Sequence, residues 1–551
     1  MTHSARARVA RALFCLFALL ALAPGREARA QDTSAPAYKI SYRILMPDPA
    51  KHVFHVEVNV EGLAGAPHVD FQMPRWSPGR YAIFDFARNV HAANASGPCQ
   101  PDARCGSTGY PVERLDTQTW RVSEPNLSKV SFSYRVFADD LSGTFSQLDA
   151  RHANFNGASV FVYVVGHKHD PVTLTVGAPA GWKVINGHSK TTDQTEFSFP
   201  NYDVLIDTPT EVAPDFNVQT FEVAGKTYRV VTHSFGDEGG RRGELAKQVE
   251  RVVRAETAMM PAPDYDQYTF LFHFDPTARR GDGMEHLNST QIIETAALGT
   301  GDTLEEAVGT AAHEFFHVWN VKRLRPVGLG PWDFTRPVVT RGLWIAEGFT
   351  NYFGKLSQRR AGLWDDERLL RAYANVIGGI ENAPGSKLTS AVDASILAPF
   401  IDRGESVQRT NLSETVVSYY PKGETLALPL DLIIRGRSKG RSSLEQVMGR
   451  AYEEFYLKSP KDSYYLKGRA YTVEEFERLA SEVSGVDLRD FFDFHVHQTV
   501  PPRYEEALAY VGLRLVRTPA AEGTRTTYRI EKDDNAPPAA RALREAWLKG
   551  K

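Results

Sequence analysis

The 551-residue sequence has only three cysteines, no excess of basic residues and no long apolar run after its first thirty positions. Its 64 lysines and arginines are balanced by 67 aspartates and glutamates, so neither nucleic acid nor an anionic membrane surface is indicated as a partner. We expect no transmembrane segment in the mature chain. The hydrophobic content of 42% is that of a globular protein, and the length predicts roughly two to four domains.

The N-terminus has the pattern of an exported protein. Arginines precede an apolar run over residues 12–24, and a small-x-small sequence ends at Ala30, as in a secretory signal peptide. The run is too short to anchor the chain comfortably, and an uncleaved anchor is the alternative. We therefore expect a signal peptide over residues 1–30, a mature chain from Gln31 and a periplasmic or secreted location.

The few cysteines restrict the kinds of site that are available. Cys15 would leave with the signal peptide, and Cys99 and Cys105 remain close together in the sequence. In a secreted chain such a pair is expected to form a disulfide, with two free thiols as the alternative. A cysteine-based zinc knuckle is excluded.

Hydrophobic periodicity divides the mature chain. A two-residue period at Val56, Val58 and Val60 is typical of half-buried strands, and it predicts an all-β, sandwich-like N-terminal domain of antiparallel sheets. Further strands are predicted at 130–137, 158–165, 226–233 and 268–274, with a helix at 244–260. From Thr303 to about Val496 the pattern is mostly helical. We expect an N-terminal β domain at 31–220, a catalytic domain at 221–390, a helical domain at 391–505 and a short C-terminal extension at 506–551.

Residues 311–320, AAHEFFHVWN, contain an H-E-x-x-H pattern. Thr303 and Glu306 predict a capping box, so a helix should start there and bring His313 and His317 to one face. Two such imidazoles can bind one zinc ion, with Glu314 beside its water. By chance this pattern arises roughly once in a few dozen such sequences, so a third ligand is needed.

Glu347 is the candidate third ligand. It lies in LWIAEGFTNYF, an apolar stretch predicted to form a buried helix, where a carboxylate is costly unless it is paired or bound to a metal. Pairing with an arginine is the structural alternative. Two further segments remain ambiguous from their residues alone, since Glu285 could be a solvated loop acid and Tyr420 could belong to the core.

These segments together resemble a known family. HEFFHVWNVKRLRP, with WIAEGF after it and GMEHLNS before it, is similar to the glycyl aminopeptidase family of gluzincin zinc peptidases. MPRWSPGRYAIFDFARNV (73–90) is similar to the N-terminal β domain of that family. The resemblance covers most of the mature chain. It implies a multidomain fold with a thermolysin-like α+β catalytic domain followed by an α-helical domain.

The resemblance also implies the site. One zinc ion per chain would be held by His313, His317 and Glu347, with Glu314 as the general base. Tyr420, in the family's Y-x-K-G motif, would donate to the oxyanion, with Tyr419 as the neighbour it could be confused with. The substrates would be peptides with a free N-terminus, preferably beginning with a small residue such as Gly or Ala.

The substrate-binding motif is matched only in part. The wider clan has G-x-M-E-N, whereas here Asp282 stands at the clan's Gly and His286 at its Asn. By resemblance Glu285 would bind the α-amino group, with Gly283, Met284 and His286 as its substrate-binding neighbours. Members of the family often carry a C-terminal PDZ domain, and the about 35 residues after 505–516 are too few for one, so we expect it to be absent.

Other readings stay open at this point. A thermolysin-like endopeptidase would use the same metal chemistry, and a non-catalytic peptide-binding protein could retain the fold. Asn320, Lys322 and Arg323 are expected to end the helix and to carry surface charge. His495 and His497 are expected to be structural, because two alternating histidines without further ligands rarely form a metal site.

Overall fold

The computed structural model describes residues 37–97, 109–407, 409–461, 464, 467–519 and 525–550. The expected signal peptide and the pair Cys99 and Cys105 lie outside these residues. The described part has a β-rich N-terminal portion, a mixed α/β middle and a helical C-terminal region, which confirms the predicted fold class.

The N-terminal portion consists of two sheets. Its strands are β1 (Lys39–Leu45), β2 (Val53–Gln72), β3 (Val90–Ser96), β4 (Gly109–Tyr110), β5 (Val112–Arg114), β6 (Thr119–Phe137), β7 (Gln147–Leu148), β8 (Ala153–Phe155), β9 (Tyr163–Val164), β10 (Val172–Gly177), β11 (Lys183–Asn186), β12 (Glu196–Phe199) and β13 (Thr210–Ala213), with helix α1 (Tyr202–Ile206) before β13. Short 3-10 turns lie at Pro49–Lys51, Phe86–Asn89 and Gly157–Ser159.

The larger sheet has the order β12-β10-β1-β2-β6-β3-β4, with β5 added to β6 and β9 to β2, and the smaller sheet has the order β11-β13-β8-β7. In β2 the side chains of Val56, Val58 and Val60 are buried and their neighbours are less so, which confirms the two-residue period. The prediction of antiparallel sheets is wrong for one pair, because β1 and β10 are parallel. These strands are far apart in sequence, so no hairpin sets their relative direction.

The predicted strand at 158–165 is wrong for most of its length. A 3-10 turn at Gly157–Ser159 occupies its start, and only Tyr163–Val164 pairs as a strand. Residues 158–164 are all buried. A short apolar run that is buried on every side has the same composition as a core strand. Its composition therefore does not show whether its backbone pairs with another strand.

The middle of the chain forms a second type of sheet. Its strands are β14 (Asn217–Val223), β15 (Lys226–Ser234), β16 (Gln267–Phe274), β17 (Asp282–Glu285) and β18 (Ser289–Glu294), in the order β14-β15-β16-β18-β17. The strands β15, β16 and β18 are parallel and the two edge strands antiparallel. Helix α2 (Arg242–Met259) connects β15 to β16, as a parallel pair requires. The predicted elements at 226–233, 244–260 and 268–274 are therefore confirmed.

The two faces of this α/β sheet are covered differently. Val230 and Phe270 belong to the core shared with the helices. Val231 and Leu271, on the opposite face, pack with Ala213 of β13 in the smaller N-terminal sheet. The α/β sheet therefore lies between the helices and the β-rich portion.

The rest of the chain is mostly helical, as predicted. The helices are α3 (Thr303–Phe316), α4 (Leu343–Ala346), α5 (Gly348–Arg360), α6 (Asp366–Glu381), α7 (Ala391–Ile396), α8 (Ala398–Val407), α9 (Arg409–Thr415), α10 (Tyr419–Arg437), α11 (Leu444–Ala451), α12 (Val473–Ser484), α13 (Arg489–His495), α14 (Tyr504–Tyr510) and α15 (Pro538–Lys549), with a 3-10 turn at Pro384–Lys387 and a π-helical turn at Tyr452–Leu457. A hairpin of β19 (Leu513–Thr518) and β20 (Thr527–Lys532) precedes α15. Within the described ranges, no helix combines the length and apolar character needed to cross a membrane.

Candidate metal centre and active site

Helix α3 presents both histidines of the H-E-x-x-H pattern at its C-terminal end. His313 lies in the last turn, and His317 caps the helix in a right-handed helical conformation, so the two residues are one turn apart. The predicted capping box of Thr303 and Glu306 is wrong, since no side chain caps this helix. The N–H of Thr303 already donates to the carbonyl of Thr300 at 3.1 Å, so it is not available to the Glu306 carboxylate.

Three side-chain atoms converge beyond this helix. His313 Nε2 lies 3.0 Å from His317 Nε2, and Glu347 Oε2 lies 3.5 Å and 3.3 Å from the same two nitrogens. Tetrahedral zinc, with bonds of about 2.0–2.1 Å, separates its ligand atoms by about 3.3 Å. Glu347 Oε2 is buried and forms no hydrogen bond with any described residue. This donor set fits a zinc ion.

Glu347 is held from the β-rich portion. It lies between α4 and α5, so the predicted buried helix is interrupted at this residue. The hydroxyl of Tyr81 donates to its Oε1 at 2.6 Å, which leaves Oε2 towards the histidines. Burial opposes ionisation of Glu347, but His317 and His313 hold its pKa below the usual range.

Asn320 links the two sides of the centre. His317 Nδ1 donates to the Asn320 carbonyl at 2.7 Å. Because Nδ1 then carries the proton of the neutral ring, Nε2 has the lone pair that a metal ion needs. The Asn320 side chain donates to the carbonyls of Ile345 and Ala346 at 2.8 Å and 3.1 Å, directly before Glu347. Asn320 therefore fixes the end of α3 against the segment that contains Glu347.

The expectation of surface charge after this helix is wrong. Lys322 and Arg323 are 4% and 2% exposed. Lys322 Nζ lies 2.8 Å from Asp207 Oδ1, and Arg323 Nε lies 2.7 Å from Asp264 Oδ1. Buried charges require such partners, and both carboxylates come from distant positions that the local sequence does not indicate.

Glu314 faces the same space as the three converging atoms. Its carboxylate lies with Glu285 and His317 in a group whose candidate ligand atoms are all within 4.8 Å of one another. Burial raises the pKa of Glu314 well above its usual range, although His317 acts in the opposite direction. A β-carbon at Gly283 would overlap the Glu314 carboxylate, so a larger residue at this position would displace that side chain.

The edge strand β17 brings the second predicted motif to the centre. Met284 and Glu285 are buried, and Gly79 of the β-rich portion packs against both. Gly79 has a φ of +85°, and a β-carbon there would overlap the Met284 side chain and lie 2.8 Å from Glu285 Oε2. Arg80 forms an ion pair with Asp282 at the start of the strand. The N-terminal portion therefore forms one wall around Glu285.

His286 is oriented towards a different group. Its Nδ1 lies 3.1 Å from Asp207 Oδ1, and Asp207 also accepts from the N–H of Leu287 at 2.9 Å and from Lys322. A substrate contact by His286 stays a prediction.

The two neighbouring tyrosines at the start of α10 differ in their partners. The Tyr419 hydroxyl donates to Asp402 Oδ1 at 2.8 Å. The Tyr420 ring lies 6.1 Å from the His313 ring, centroid to centroid, and its hydroxyl forms no hydrogen bond within the described ranges. Burial raises the pKa of Tyr420 well above its usual range, so its hydroxyl stays protonated and able to donate.

A small cavity adjoins Glu285. Its volume is about 20 Å³, close to the space that one water molecule requires. The lining residues are Trp76, Gly79, Arg80, Tyr81, Glu285, Val321, Lys322, Arg325, Leu329, Trp332 and Val338.

The site also contains residues that the sequence did not mark. Tyr81 and Asn320 lie inside the quoted motifs RYAIFDF and HVWNVKRLRP, but nothing local indicated their contacts. His495 and His497 have partners of their own, the carbonyl of Val500 at 3.0 Å and Glu477 Oε1 at 2.8 Å.

Two models of one protein family match this sequence. The sequence matches the Peptidase M61 N-terminal domain over residues 41–214 and the M61 glycyl aminopeptidase over residues 306–426, together more than half of the chain. The second match includes the histidine pair, Glu347 and Tyr420. No curated protein sequence matches.

Solved structures are similar to this chain as well. A crystal structure of an aminopeptidase N family protein from Idiomarina loihiensis has a TM-score of 0.77 at 24% identity, covering 88% of this chain and 80% of that chain, and therefore shares the fold. A mutant M1 zinc metallopeptidase from Deinococcus radiodurans, bound to a Tyr-Ser-Ala substrate, has a TM-score of 0.49 at 13% identity, covering 85% of this chain and 96% of that chain.

Proposed function

Because this chain belongs to the M61 glycyl aminopeptidase family, we propose that it is a zinc-dependent aminopeptidase that removes small residues, Gly or Ala, from peptides with a free N-terminus. The observation that carries the proposal is the convergence of His313 Nε2, His317 Nε2 and Glu347 Oε2 at separations of 3.0–3.5 Å. These three residues would hold one zinc ion. When bound, zinc lowers the pKa of a water and polarises a carbonyl.

Glu314 is the proposed general base. Its carboxylate is buried beside the converging ligand atoms, and burial raises its pKa. The ionised carboxylate is therefore a stronger base than one in water, which suits a group that accepts a proton from the attacking water and passes it to the leaving amine. Gly283 leaves the space that this carboxylate occupies. Tyr420 is the proposed donor to the oxyanion, because its hydroxyl has no competing partner among the described residues while that of Tyr419 is held by Asp402.

Glu285 is the proposed anchor for the substrate's ammonium group. A buried carboxylate beside the metal centre favours a cation at this point, and a peptide anchored by its first nitrogen presents its first peptide bond to the site. Gly283 and Met284 would contact the substrate as its neighbours on β17. The adjoining cavity of about 20 Å³ supports the preference for Gly or Ala, because larger side chains need more room.

The decisive experiment is hydrolysis of an aminoacyl-substrate panel by the purified protein, with and without a chelator. We expect cleavage of Gly and Ala substrates, its loss on chelation, and its loss in Glu314→Gln with zinc still bound. Glu305→Gln is the matched control, because Glu305 is an exposed carboxylate on the same helix. Wild-type rates in Glu314→Gln would refute the mechanism.

The alternatives give different results in the same assay. Cleavage of internal bonds in an N-terminally blocked peptide would indicate the endopeptidase. Zinc binding without hydrolysis of any peptide would indicate a binding protein.

We also propose export of the chain. Residues 1–30 would be removed as a signal peptide, giving a periplasmic or secreted protein in which Cys99 and Cys105 form a disulfide. The division at 220, 390 and 505 is proposed for the domains. N-terminal sequencing of the protein from its native host tests the cleavage, which should leave Gln31 first.

A further inference from the structure

A second group of buried metal-binding residue types lies outside the candidate active site. His152, Glu211, His233 and His273 are each at most 2% exposed, and their candidate ligand atoms all lie within 4.8 Å of one another. We call this group the buried histidine cluster. It lies between the smaller N-terminal sheet and the α/β sheet.

Strand register explains why these residues meet. The parallel strands β15 and β16 pair His233 directly with His273, so both rings project from the same face of the sheet. On the facing sheet, β13 pairs Glu211 with Asn154 of β8, and His152 directly precedes β8. Four separate segments therefore contribute to one point.

The nitrogens crowd a single carboxylate. His152 Nδ1 and His233 Nδ1 lie 2.9 Å and 2.8 Å from the same oxygen, Glu211 Oε1, and His273 Nε2 lies 3.8 Å from Oε2. These separations bracket the about 3.3 Å between the ligand atoms of a tetrahedral ion. Despite its short distance, His233 Nδ1 has no hydrogen-bond geometry towards any described residue. His152 Nδ1 does form a hydrogen bond with that oxygen, so His233 is the ring whose short contact with Glu211 no hydrogen bond explains.

The surrounding amides orient these groups. His152 lies between two oxygens, with Nε2 3.0 Å from Gln147 Oε1 and Nδ1 2.9 Å from Glu211 Oε1. A metal ion at Glu211 would replace the proton on Nδ1, while the N–H at Nε2 would keep its bond to Gln147. Asn154 Nδ2 donates to Glu211 Oε2 at 3.2 Å, and Gln291 Nε2 in turn donates to Asn154 Oδ1 at 2.7 Å. Outer hydrogen bonds of this kind fix the tautomer and direction of metal ligands.

The carboxylate needs a compensating positive charge. Across the described part of the chain, Glu211 forms ion pairs with histidines only. A single proton on His233 neutralises Glu211, and although burial opposes that proton, Glu211 and Asp215 raise the pKa of His233. One divalent cation would supply the positive charge and would also use the nitrogens of all three rings.

We propose that the buried histidine cluster binds one divalent transition-metal cation of the zinc class, through three imidazole nitrogens and the Glu211 carboxylate. All four ligands are protein groups, as in closed structural sites. The ion would tie the β-rich portion to the α/β sheet and would not meet substrate. The chain would then hold two ions, in place of the single zinc expected from the sequence.

The test is the zinc content of the full-length protein and its variants after saturation with zinc and removal of loosely bound metal. We expect about two equivalents in the wild type, and about one each in His313→Ala/His317→Ala and in His233→Ala/His273→Ala, since each pair removes one site. His495→Ala is the control, because it removes a buried histidine outside both groups and should keep about two. The variant without the active-site histidines makes the outcome independent of the proposed function.

A second measurement tests the proposal even if the His233→Ala/His273→Ala variant does not fold. In the His313→Ala/His317→Ala protein, added Zn²⁺ should raise Tm, added Co²⁺ should give the visible absorption of a coordinated ion, and Glu211→Gln in that background should abolish both. The proposal would be overturned if the folded His313→Ala/His317→Ala protein bound no zinc, or if neither metal changed its Tm or its visible spectrum. The buried histidine cluster would then be a network of protons shared between its rings and Glu211.

Discussion

Tyr81 and Asn320 each act on one proposed zinc ligand without being ligands themselves. The hydroxyl of Tyr81 donates to Glu347 Oε1, and the backbone carbonyl of Asn320 accepts from His317 Nδ1. Partners of this kind set the direction in which a ligand presents its lone pair. Loss of the Tyr81 hydroxyl should therefore affect metal binding more than folding, whereas the Asn320 carbonyl belongs to the backbone and remains in any side-chain variant.

We expect Tyr81→Phe to weaken zinc binding roughly 10- to 100-fold, measured by competition with a chelator of known affinity. Tyr134→Phe is the matched control, because the Tyr134 hydroxyl also donates a buried hydrogen bond, to the Val160 carbonyl at 2.8 Å, away from Glu347. Equal zinc affinity in the two variants would contradict the role given to Tyr81.

Substitutions of the two adjacent tyrosines of α10 should have different effects on kcat. Tyr420→Phe is expected to lower kcat roughly 10²- to 10³-fold with little change in KM, because the lost hydroxyl acts on the transition state. Tyr419→Phe, which loses its bond to Asp402, should change kcat less than about tenfold and mainly affect stability. The reverse order of effects would assign the oxyanion contact to Tyr419.

At the scale of elements, the centre depends on a close crossing of α5 and α10. A β-carbon at Gly348 would overlap the backbone of Gly423, and one at Gly423 would overlap the Trp344 carbonyl. The two helices carry Glu347 at the start of one and Tyr420 at the start of the other. The glycine of the Y-x-K-G motif is thus required by packing, and it sets the distance between these side chains.

Gly423→Ala should push the helices apart, reducing stability by about 1–3 kcal/mol and lowering kcat. Gly379→Ala is its control, since nothing lies within 4 Å of a β-carbon at that helical position, and it should stabilise by about 0.4–1 kcal/mol with unchanged activity. Thermal unfolding and steady-state kinetics measure both. Full activity in Gly423→Ala would show that the crossing tolerates displacement.

Glu294 at the end of β18 and Glu306 in the first turn of α3 bring two carboxylates close enough to repel each other. Burial and the nearby Glu306 raise the pKa of Glu294 to about 7. Because folding raises the pKa of the Glu294 carboxyl group, its protonated form stabilises the fold at pH values below the pKa of the unfolded chain. This stabilisation is lost as pH rises through about 7. Glu294→Gln should therefore raise the free energy of unfolding, measured in urea, more at pH 8 than at pH 5, by about 1–2 kcal/mol once partial exposure is allowed for. An equal gain at both pH values would contradict the shift.

Local pattern predicts elements whose burial is one-sided, as the alternation in β2 shows. Residues 268–274 and 158–164 are both buried throughout, yet only the first run pairs as a strand along its length, because composition does not specify hydrogen bonding. The histidine pair of the candidate metal centre was predictable because α3 brings His313 and His317 together locally. The contacts of Tyr81, Lys322 and the buried histidine cluster were not, because each joins residues far apart in sequence and depends on how the sheets pack.

At the scale of the whole molecule, Asp207 joins the β-rich portion to the segments around the centre. It accepts from Lys322, from the N–H of Leu287 and from His286. All of these groups are buried or nearly so. Removal of the carboxylate would leave the Lys322 ammonium without its counter-ion.

Asp207→Asn should reduce the free energy of unfolding by about 3–5 kcal/mol, measured in urea. Adding Lys322→Met should recover part of that loss, because the unpaired charge is removed as well. Asp487→Asn, in an exposed pair with Arg489, is the control and should leave the urea midpoint unchanged. Additive effects of Asp207→Asn and Lys322→Met would show that the pair is not coupled.

The bond from Tyr81 to Glu347 spans 266 positions of sequence. At about 5–20 residues per second, a ribosome needs roughly ten to fifty seconds to make the second residue after the first. Glu285, Glu314 and Tyr420 are made at still other times. A growing chain therefore carries no assembled site until the segment around Tyr420 has been made and has folded against the β-rich portion. A peptidase built in this way is silent for most of its own synthesis.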